Sequence, residues 1–215
     1  MGMISYAVST KTVDNTTLQL LDAITDSAAG KIKDETQRHF HMLSSVAASD
    51  FLIKSDIPQL EKCQQMTKIA KANSEDYENL GFYTLDGESY TAAGQKIKLD
   101  REYIKAGGRG EIYTQDPAIN PVTNILFQIY SVPVWGPDRK PVGVVTANVY
   151  GENLSHRIEG IKFGSDASCV QVINAKTGNI VASTNVEEVQ KSMNISEGVS
   201  ANSEKANVLK AAQSG

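Results

Sequence analysis

Polar side chains that could bind a small molecule are concentrated between Asp100 and Tyr150. Gln128 and Tyr130 share one face of a predicted strand, and Thr146 and Asn148 share one face of the next, because strand side chains alternate. If the two faces coincide, amides and a phenol form a hydrogen-bonding wall. Burying such groups without partners costs roughly 1–3 kcal/mol each. A ligand carrying a carboxylate or several hydroxyls would satisfy them.

Four further candidates precede these strands. Arg101 and Tyr103 lie on a short predicted helix that Asp100 caps, and Tyr113 and Asp116 lie in a polar loop able to close the site. A guanidinium fork suits a carboxylate. An alternative for Arg101 is an exposed helix residue paired with Asp100 or Glu102.

The composition argues against several other classes of function. A net charge of −4 disfavours nucleic acid as a partner. His39 and His41 point to different helix faces, so a metal site is not expected. There is no Gly-x-Ser-x-Gly motif and no sequence context that marks a histidine as a base. We therefore expect neither enzyme activity nor a cofactor, and interpret Cys63 and Cys169 as small buried hydrophobic residues.

The N-terminal quarter of the chain has the pattern of one long amphipathic helix. Ser5 to Asp56 contains no proline and one glycine, Gly30, with apolar or small residues every three to four positions. A helix from about 8 to 52, roughly 70 Å long, is predicted. A coiled coil is the alternative. The stripe from Leu18 to Ile32 precedes the globular body, so part of it is free to meet a symmetry mate.

The rest of the chain predicts alternating helices and hairpins. An Asp-Gly turn between short aromatic segments favours a hairpin, and Gly178 suits a left-handed turn position. No apolar run reaches the length of a membrane span. The first predicted elements are a helix with Asp56 as N-cap and Pro58 in its first turn, ending near Asn73, then a hairpin about Asp86-Gly87, a loop at Gly94–Leu99 and the short helix of Arg101. Two strands follow, Ile125–Val134 and Val142–Tyr150, joined by a Trp135–Pro141 turn. The last predicted elements are helix Glu152–Ile161, strands Cys169–Asn174 and Asn179–Ser183, and helices Val186–Met193 and Ser203–Ala212.

Several of these motifs together carry a resemblance to a known family. They are Arg101-x-aromatic, the strand end Ser131-Val-Pro-Val134, and Val142-Gly-Val-Val-Thr-Ala-Asn148 followed by Asn153-Leu154. The chain resembles the double Cache extracytoplasmic sensor domain of bacterial methyl-accepting chemotaxis proteins and related transmembrane receptors. The resemblance implies an α+β fold in which a long N-terminal helix packs on a PAS-like antiparallel sheet. It also implies three parts: 1–39 as the first part of the signalling helix, 40–158 as the membrane-distal, ligand-binding module, and 159–215 as an incomplete membrane-proximal module.

The resemblance also implies a function. The chain is expected to be the periplasmic or extracellular part of a chemoreceptor in the cell membrane, to bind a small polar metabolite, and to signal through flanking membrane helices absent from this chain. A homodimer is expected in the full receptor. A histidine kinase or a diguanylate cyclase is the alternative output. A hydrolase-type enzyme and a ligand-free dimerisation module are alternatives of another class.

The amino-acid-binding branch of the family supplies the expected site roles. There an Arg and a following aromatic hold the ligand carboxylate, which places Arg101 and Tyr103 in those roles. A loop Tyr lies over the ligand, but Ala118 stands at that position here. Asn148 occupies the place of an Asp that takes the ammonium. A neutral amide cannot supply that charge, so we expect a carboxylate or neutral polar metabolite rather than an α-amino acid.

Overall fold

The computed structural model describes residues 2–120, 124–161 and 169–195, together with Asn207 and Lys210, with side chains from Thr17 onward. The helices are α1 (Gly2–Ala47), α2 (Asp50–Ile53), α3 (Gln59–Ala72), α4 (Glu102–Gly108), α5 (Asn153–Ile158) and α6 (Val186–Gln190). The strands are β1 (Tyr77–Tyr83), β2 (Glu88–Tyr90), β3 (Lys96–Lys98), β4 (Tyr113–Thr114), β5 (Ala118–Ile119), β6 (Leu126–Trp135), β7 (Pro141–Tyr150), β8 (Gln171–Ile173) and β9 (Ile180–Ser183).

The long helix predicted from the sequence is present and runs unbroken through Gly30. Its predicted end near residue 52 is wrong. The helix stops at Ala47, Ser49 adopts an extended conformation, and the four-residue α2 follows. Within the part of the chain that the structure describes, no helix combines the length and apolarity needed to cross a membrane.

A central antiparallel sheet organises the larger part of the molecule. Its order is β1-β7-β6-β4, with β5 also pairing with β6. The predicted β6–β7 hairpin is confirmed, and its register pairs Tyr130 with Ala147 and Ser131 with Thr146. Because paired residues in an antiparallel ladder share a face, this register decides which side chains meet.

Four local predictions need correction. The predicted loop at Gly94–Leu99 contains β3, which pairs with β2. The two segments that flank Asp86-Gly87 therefore do not pair with each other, because β1 pairs with the much longer β7. The N-cap position of α3 is Pro58 rather than Asp56. Asp100 does not cap α4, because its carboxylate is 2.8 Å from the Lys105 ammonium and the N-cap position is held by Arg101.

One face of the sheet is covered by helices. Leu43 of α1 and Met66 of α3 are fully buried with the side chains that point to this face from β1, β6 and β7. The strand residues in this cluster are Leu80, Phe82, Tyr130, Val132, Val134, Val145, Ala147 and Val149. We call this face the helix side.

The C-terminal part forms a smaller unit against the middle of α1. The predicted β8–β9 hairpin is confirmed, and Gly178 has a φ of +78° in its turn, a backbone conformation that favours glycine. Ala28 is buried against α5 and β9, with Ile32 beside it, so that segment of the predicted free stripe is covered. Leu18 and Leu20 stay more than half exposed. Most of the predicted helix Ser203–Ala212 lies outside the described residues.

Candidate functional site

The two polar pairs on β6 and β7 do not meet. Tyr130 is paired with Ala147, so it lies on the helix side, and Gln128 lies on the same side two residues away. Thr146 and Asn148 point to the opposite face, which we call the cleft side. The condition that the two faces coincide is therefore not met, and a ligand cannot contact all four side chains across one surface.

A cleft of about 430 Å³ lies at the β1 edge of the sheet, where cleft-side residues of β1 and β7 meet residues of α3. Its walls come from β1, β7, α3 and the β2–β3 unit, together with Asn120 and Phe127. Aromatic, hydroxyl and amide groups dominate its surface: Tyr77, Tyr83, Tyr90, Phe127, Tyr150, Thr67, Ser74, Ser89, Thr91, Asn79, Asn120 and Asn148. Such a mixture of aromatic walls and a few polar groups is typical of sites for small polar molecules.

The backbone of β1 opens this cleft. Gly81 faces Thr146 across the ladder, and a Cβ at Gly81 would come within 2.8 Å of Thr146 Oγ1 and 2.9 Å of the Tyr83 ring. Because glycine has no side chain, the Tyr83 ring can lie beside this position. Thr146 is buried and does not line the cleft, whereas Asn148 does.

Arg101 and Tyr103 adopt different roles from those expected. Arg101 is exposed at the N-cap position of α4 and is not part of the cleft wall. Tyr103 is buried, and its ring packs edge-on against Tyr83 with centroids 6.5 Å apart. Ser131 donates to the Tyr103 carbonyl at 2.9 Å, which fixes α4 on the sheet. Tyr103 thus supports the cleft wall from behind.

The two loop candidates are also separated. Tyr113 pairs with Ser131 and packs into the cluster of Tyr83 and Tyr103 beneath α4. Asp116 accepts three hydrogen bonds from the β8–β9 turn: from Asn174 Nδ2 at 2.6 Å, Thr177 Oγ1 at 2.8 Å and Asn179 Nδ2 at 3.0 Å. Asp116 therefore joins the sheet to the C-terminal unit and does not close the cleft.

Most of the cleft residues were not among the sequence candidates. Asn79 and Tyr83 share the cleft face with Asn148 because β1 pairs with β7. The alternation of β1 was visible in the sequence, but its partner strand lies about sixty residues away along the chain. Thr67 and Lys71 reach the cleft from α3, and no local pattern marks a helix residue as part of a sheet pocket.

The charged side chains on the helix side form ion pairs with one another. The buried Glu35 carboxylate lies 2.6 Å from the Arg38 guanidinium and 2.9 Å from that of Arg157. Burial raises the pKa of Glu35, but the hydrogen bonds from the two arginines outweigh it, so the pKa lies below its usual value. Arg38 also binds Asp76 at 2.7 Å. These pairs connect α1 to the start of β1 and to α5.

His39 lies next to these ion pairs and is fully buried. Its Nδ1 is 3.0 Å from the Tyr77 hydroxyl, and its Nε2 is 3.2 Å from a Glu35 oxygen. Burial lowers the pKa of His39 to about 4, with a further contribution from Arg38. The imidazole is thus neutral at physiological pH and has a structural role.

A second concavity, of about 550 Å³, lies between α1 and β8. Its lining is mostly apolar and includes Leu21, Ile24 and Val172. It offers few groups for recognising a polar molecule. We therefore assign the candidate site to the smaller cleft, where hydroxyl, amide and charged side chains converge.

Sequence comparison identifies no relative: no protein-family model matches the chain, and no curated protein matches it significantly. The fold, in contrast, is found in solved structures. The sensory domain of the Campylobacter jejuni chemoreceptor Tlp3 with isoleucine bound has a TM-score of 0.63 and 13% identity, over 94% of this chain and 81% of that one. The ligand-binding domain of the Pseudomonas aeruginosa amino acid chemoreceptor PctC, in complex with GABA, has a TM-score of 0.56 and 16% identity, over 83% and 80%.

The extracellular domain of the histidine kinase rpHK1S-Z16 has a TM-score of 0.57 and 13% identity, over 83% of this chain and 73% of that one. At these identities the likeness shows the fold. The chain has the α+β fold of Cache-type extracytoplasmic sensor domains, and the fold implied by the sequence motifs is confirmed.

Proposed function

We propose that this chain is the extracytoplasmic ligand-binding part of a transmembrane chemoreceptor and binds a small polar metabolite in the cleft between β1, β7 and α3. The observation that carries the proposal is the cleft itself: about 430 Å³, lined by aromatic, hydroxyl and amide groups. A volume of this size suits a small molecule. The similar domains of Tlp3 and PctC have isoleucine and GABA bound, respectively.

In this proposal residues 40–158 form the ligand-binding module and residues 159–215 belong to a second module. The receptor would be anchored in the cell membrane by helices that flank this region, with the region itself periplasmic or extracellular. Leu18 and Leu21 share one face of α1 and leave an exposed apolar patch there. Two copies of the receptor would pair along that patch.

A histidine kinase is the second candidate for the whole protein. The extracellular domain of rpHK1S-Z16 has the same fold and a similar TM-score to the chemoreceptor domains. Both outputs use the same extracytoplasmic binding event. The cleft assignment therefore holds for either.

A thermal-shift screen of metabolites on the purified chain tests the binding proposal. A ligand present at 100 times its Kd adds about 2.7 kcal/mol to the free energy of unfolding. Thr67→Phe is the variant to compare, because Thr67 lies in the cleft wall and a phenyl ring would fill the space. Gln64→Phe is its matched control, on an exposed position of the same helix.

We expect Thr67→Phe to abolish the ligand-induced shift and Gln64→Phe to retain it. A screen that finds no stabilising metabolite would contradict the proposed function. A ligand that stabilises both variants equally would place its binding site elsewhere.

Cys63 provides a second way to detect ligand binding. Cys63 is buried and is one of the cleft-lining residues, whereas Cys169 lies in the other groove and is exposed, not buried as the sequence suggested. In a Cys169→Ser background, a bound ligand should slow alkylation of Cys63. With Cys63→Ser instead, alkylation of Cys169 should be insensitive to the same ligand.

A further inference from the structure

The cleft has two charged residues in its wall, one of each sign. Glu78 comes from β1 and Lys71 from the last turn of α3. Among the described residues, no Lys or Arg nitrogen lies within 4 Å of the Glu78 carboxylate, and Lys71 has no ion pair either. This contrasts with the helix side, where Glu35 and Asp76 are both paired with Arg38.

Glu78 owes its position to an irregularity in the strand. The β1–β7 register pairs Tyr77 with Val149 and Asn79 with Asn148, so Glu78 is an extra residue on β1. A β-bulge of this kind redirects a side chain, and bulges are common next to functional sites. If the register of Asn79 to Tyr83 continued, position 78 would be paired with Val149. Here the bulge carries Glu78 outside the ladder at the mouth of the cleft.

Asn148 orients the carboxylate at this position. Its Nδ2 donates to Glu78 Oε2 at 3.4 Å, a long hydrogen bond between two cleft-wall residues. An amide donor leaves the negative charge of the carboxylate uncompensated. An anionic oxygen that has polar contacts but no cation is suited to an ammonium group.

The aromatic lining favours the same ligand charge. Tyr83, Tyr90, Phe127 and Tyr150 line the cleft together with Glu78. The faces of aromatic rings attract cations, and aromatic cages recognise quaternary ammonium groups. Glu78 also accepts a hydrogen bond from Asn148, whereas the Lys71 side chain makes no hydrogen bond or ion pair among the described residues.

From this geometry we propose that Glu78 is the specificity-determining residue of the cleft and selects ligands that carry an organic ammonium group. The inference rests on the proposed function and narrows the class of ligand. It replaces the expectation from the sequence, which favoured a carboxylate or neutral metabolite. If the ligand also carries an anionic group, Lys71 can contact that group.

Matched probes separate charge from shape. Choline and its neutral isostere 3,3-dimethylbutan-1-ol form one pair, and n-butylammonium and 1-butanol form another. Isothermal titration of each probe is carried out on the wild-type chain, on Glu78→Gln and on Lys71→Met. Glu78 is exposed, so Glu78→Gln is expected to fold normally, which circular dichroism checks.

We expect at least one ammonium probe to bind the wild-type chain tenfold or more tightly than its neutral isostere. Glu78→Gln should remove that preference, and Lys71→Met should retain it. Thr67→Phe should abolish binding of the probe, which ties the preference to the cleft.

Equal probe affinities for the wild type and Glu78→Gln would overturn the assignment of Glu78. The same holds if no ammonium probe binds while the metabolite screen yields a neutral or purely anionic cleft ligand, and in that case the proposed function stands. If the screen yields no cleft ligand at all, the proposed function fails and this inference fails with it.

Discussion

The two faces of the central sheet use similar residue types for opposite purposes. On the helix side, Tyr130 and His39 are fully buried, and their polar atoms lie against other protein groups. On the cleft side, Asn148 and Tyr150 are half-exposed around an open volume. The difference shows that a polar side chain on a strand becomes a structural or a binding residue according to what covers its face.

Replacing Tyr130 should give the largest difference between the faces. Tyr130→Ala empties a site that has no exposed surface, so we expect a loss of about 3–5 kcal/mol in the free energy of unfolding. Tyr150→Ala, on the cleft side, should cost about 1 kcal/mol or less. Urea denaturation of both variants gives the comparison. Equal losses would mean that the cleft side is packed as tightly as the helix side.

Acid pH should also act on the helix side. The pKa of His39 is about 4 in the folded chain and 6.5 when unperturbed, so the unfolded chain takes up the proton first. The free energy of unfolding should therefore fall as the pH drops from 6.5 toward 4, by roughly 3 kcal/mol in total.

His39→Gln separates this effect from that of the carboxylates. The pKa values of Glu35 and Asp76 are lowered in the folded chain, so the stability they contribute is lost only as the pH falls below their unfolded values, near 4. In the variant, the free energy of unfolding should no longer change between pH 6.5 and about 4.5, but it should still fall at lower pH. An unchanged slope in that window would assign it to another group.

The link between the sheet and the C-terminal unit should give a smaller, local effect. Asp116→Ala removes the acceptor of three hydrogen bonds from the β8–β9 turn. We expect a local loss of about 1 kcal/mol, seen as roughly fivefold faster amide exchange in residues 174–180. Exchange in β6 and β7 is the internal control and should not change. A uniform increase across both regions would show global destabilisation instead.

Arg101→Ala should have the smallest effect. Arg101 is exposed and lies outside the cleft wall, so its removal should change the free energy of unfolding by less than about 0.5 kcal/mol. It should also leave the ligand-induced thermal shift intact. Loss of that shift in Arg101→Ala would restore the role that the family resemblance gives to this residue and move the site toward α4.

The sequence alone was sufficient for the longest helix and for the two hairpins β6–β7 and β8–β9. An unbroken three-to-four-residue pattern predicted α1, and alternating strands flanking a Gly- and Pro-rich turn predicted the β6–β7 hairpin, because these signals lie within a few turns or between adjacent strands. The same holds for Gly178, whose left-handed conformation depends only on its own missing side chain. The motifs around Asn148 also sufficed to indicate the fold.

Only the tertiary structure decided which of these elements form the site. The faces of β6 and β7 are related by a ladder register that a shift of one residue would invert, and nothing local in the sequence specifies it. That register placed Gln128 and Tyr130 under α1 and Asn148 in the cleft. The distant pairing of β1 with β7 brought Glu78 and Tyr83 beside Asn148, and the C-terminal hairpin engaged Asp116. Each of these outcomes depends on contacts between segments far apart in the chain.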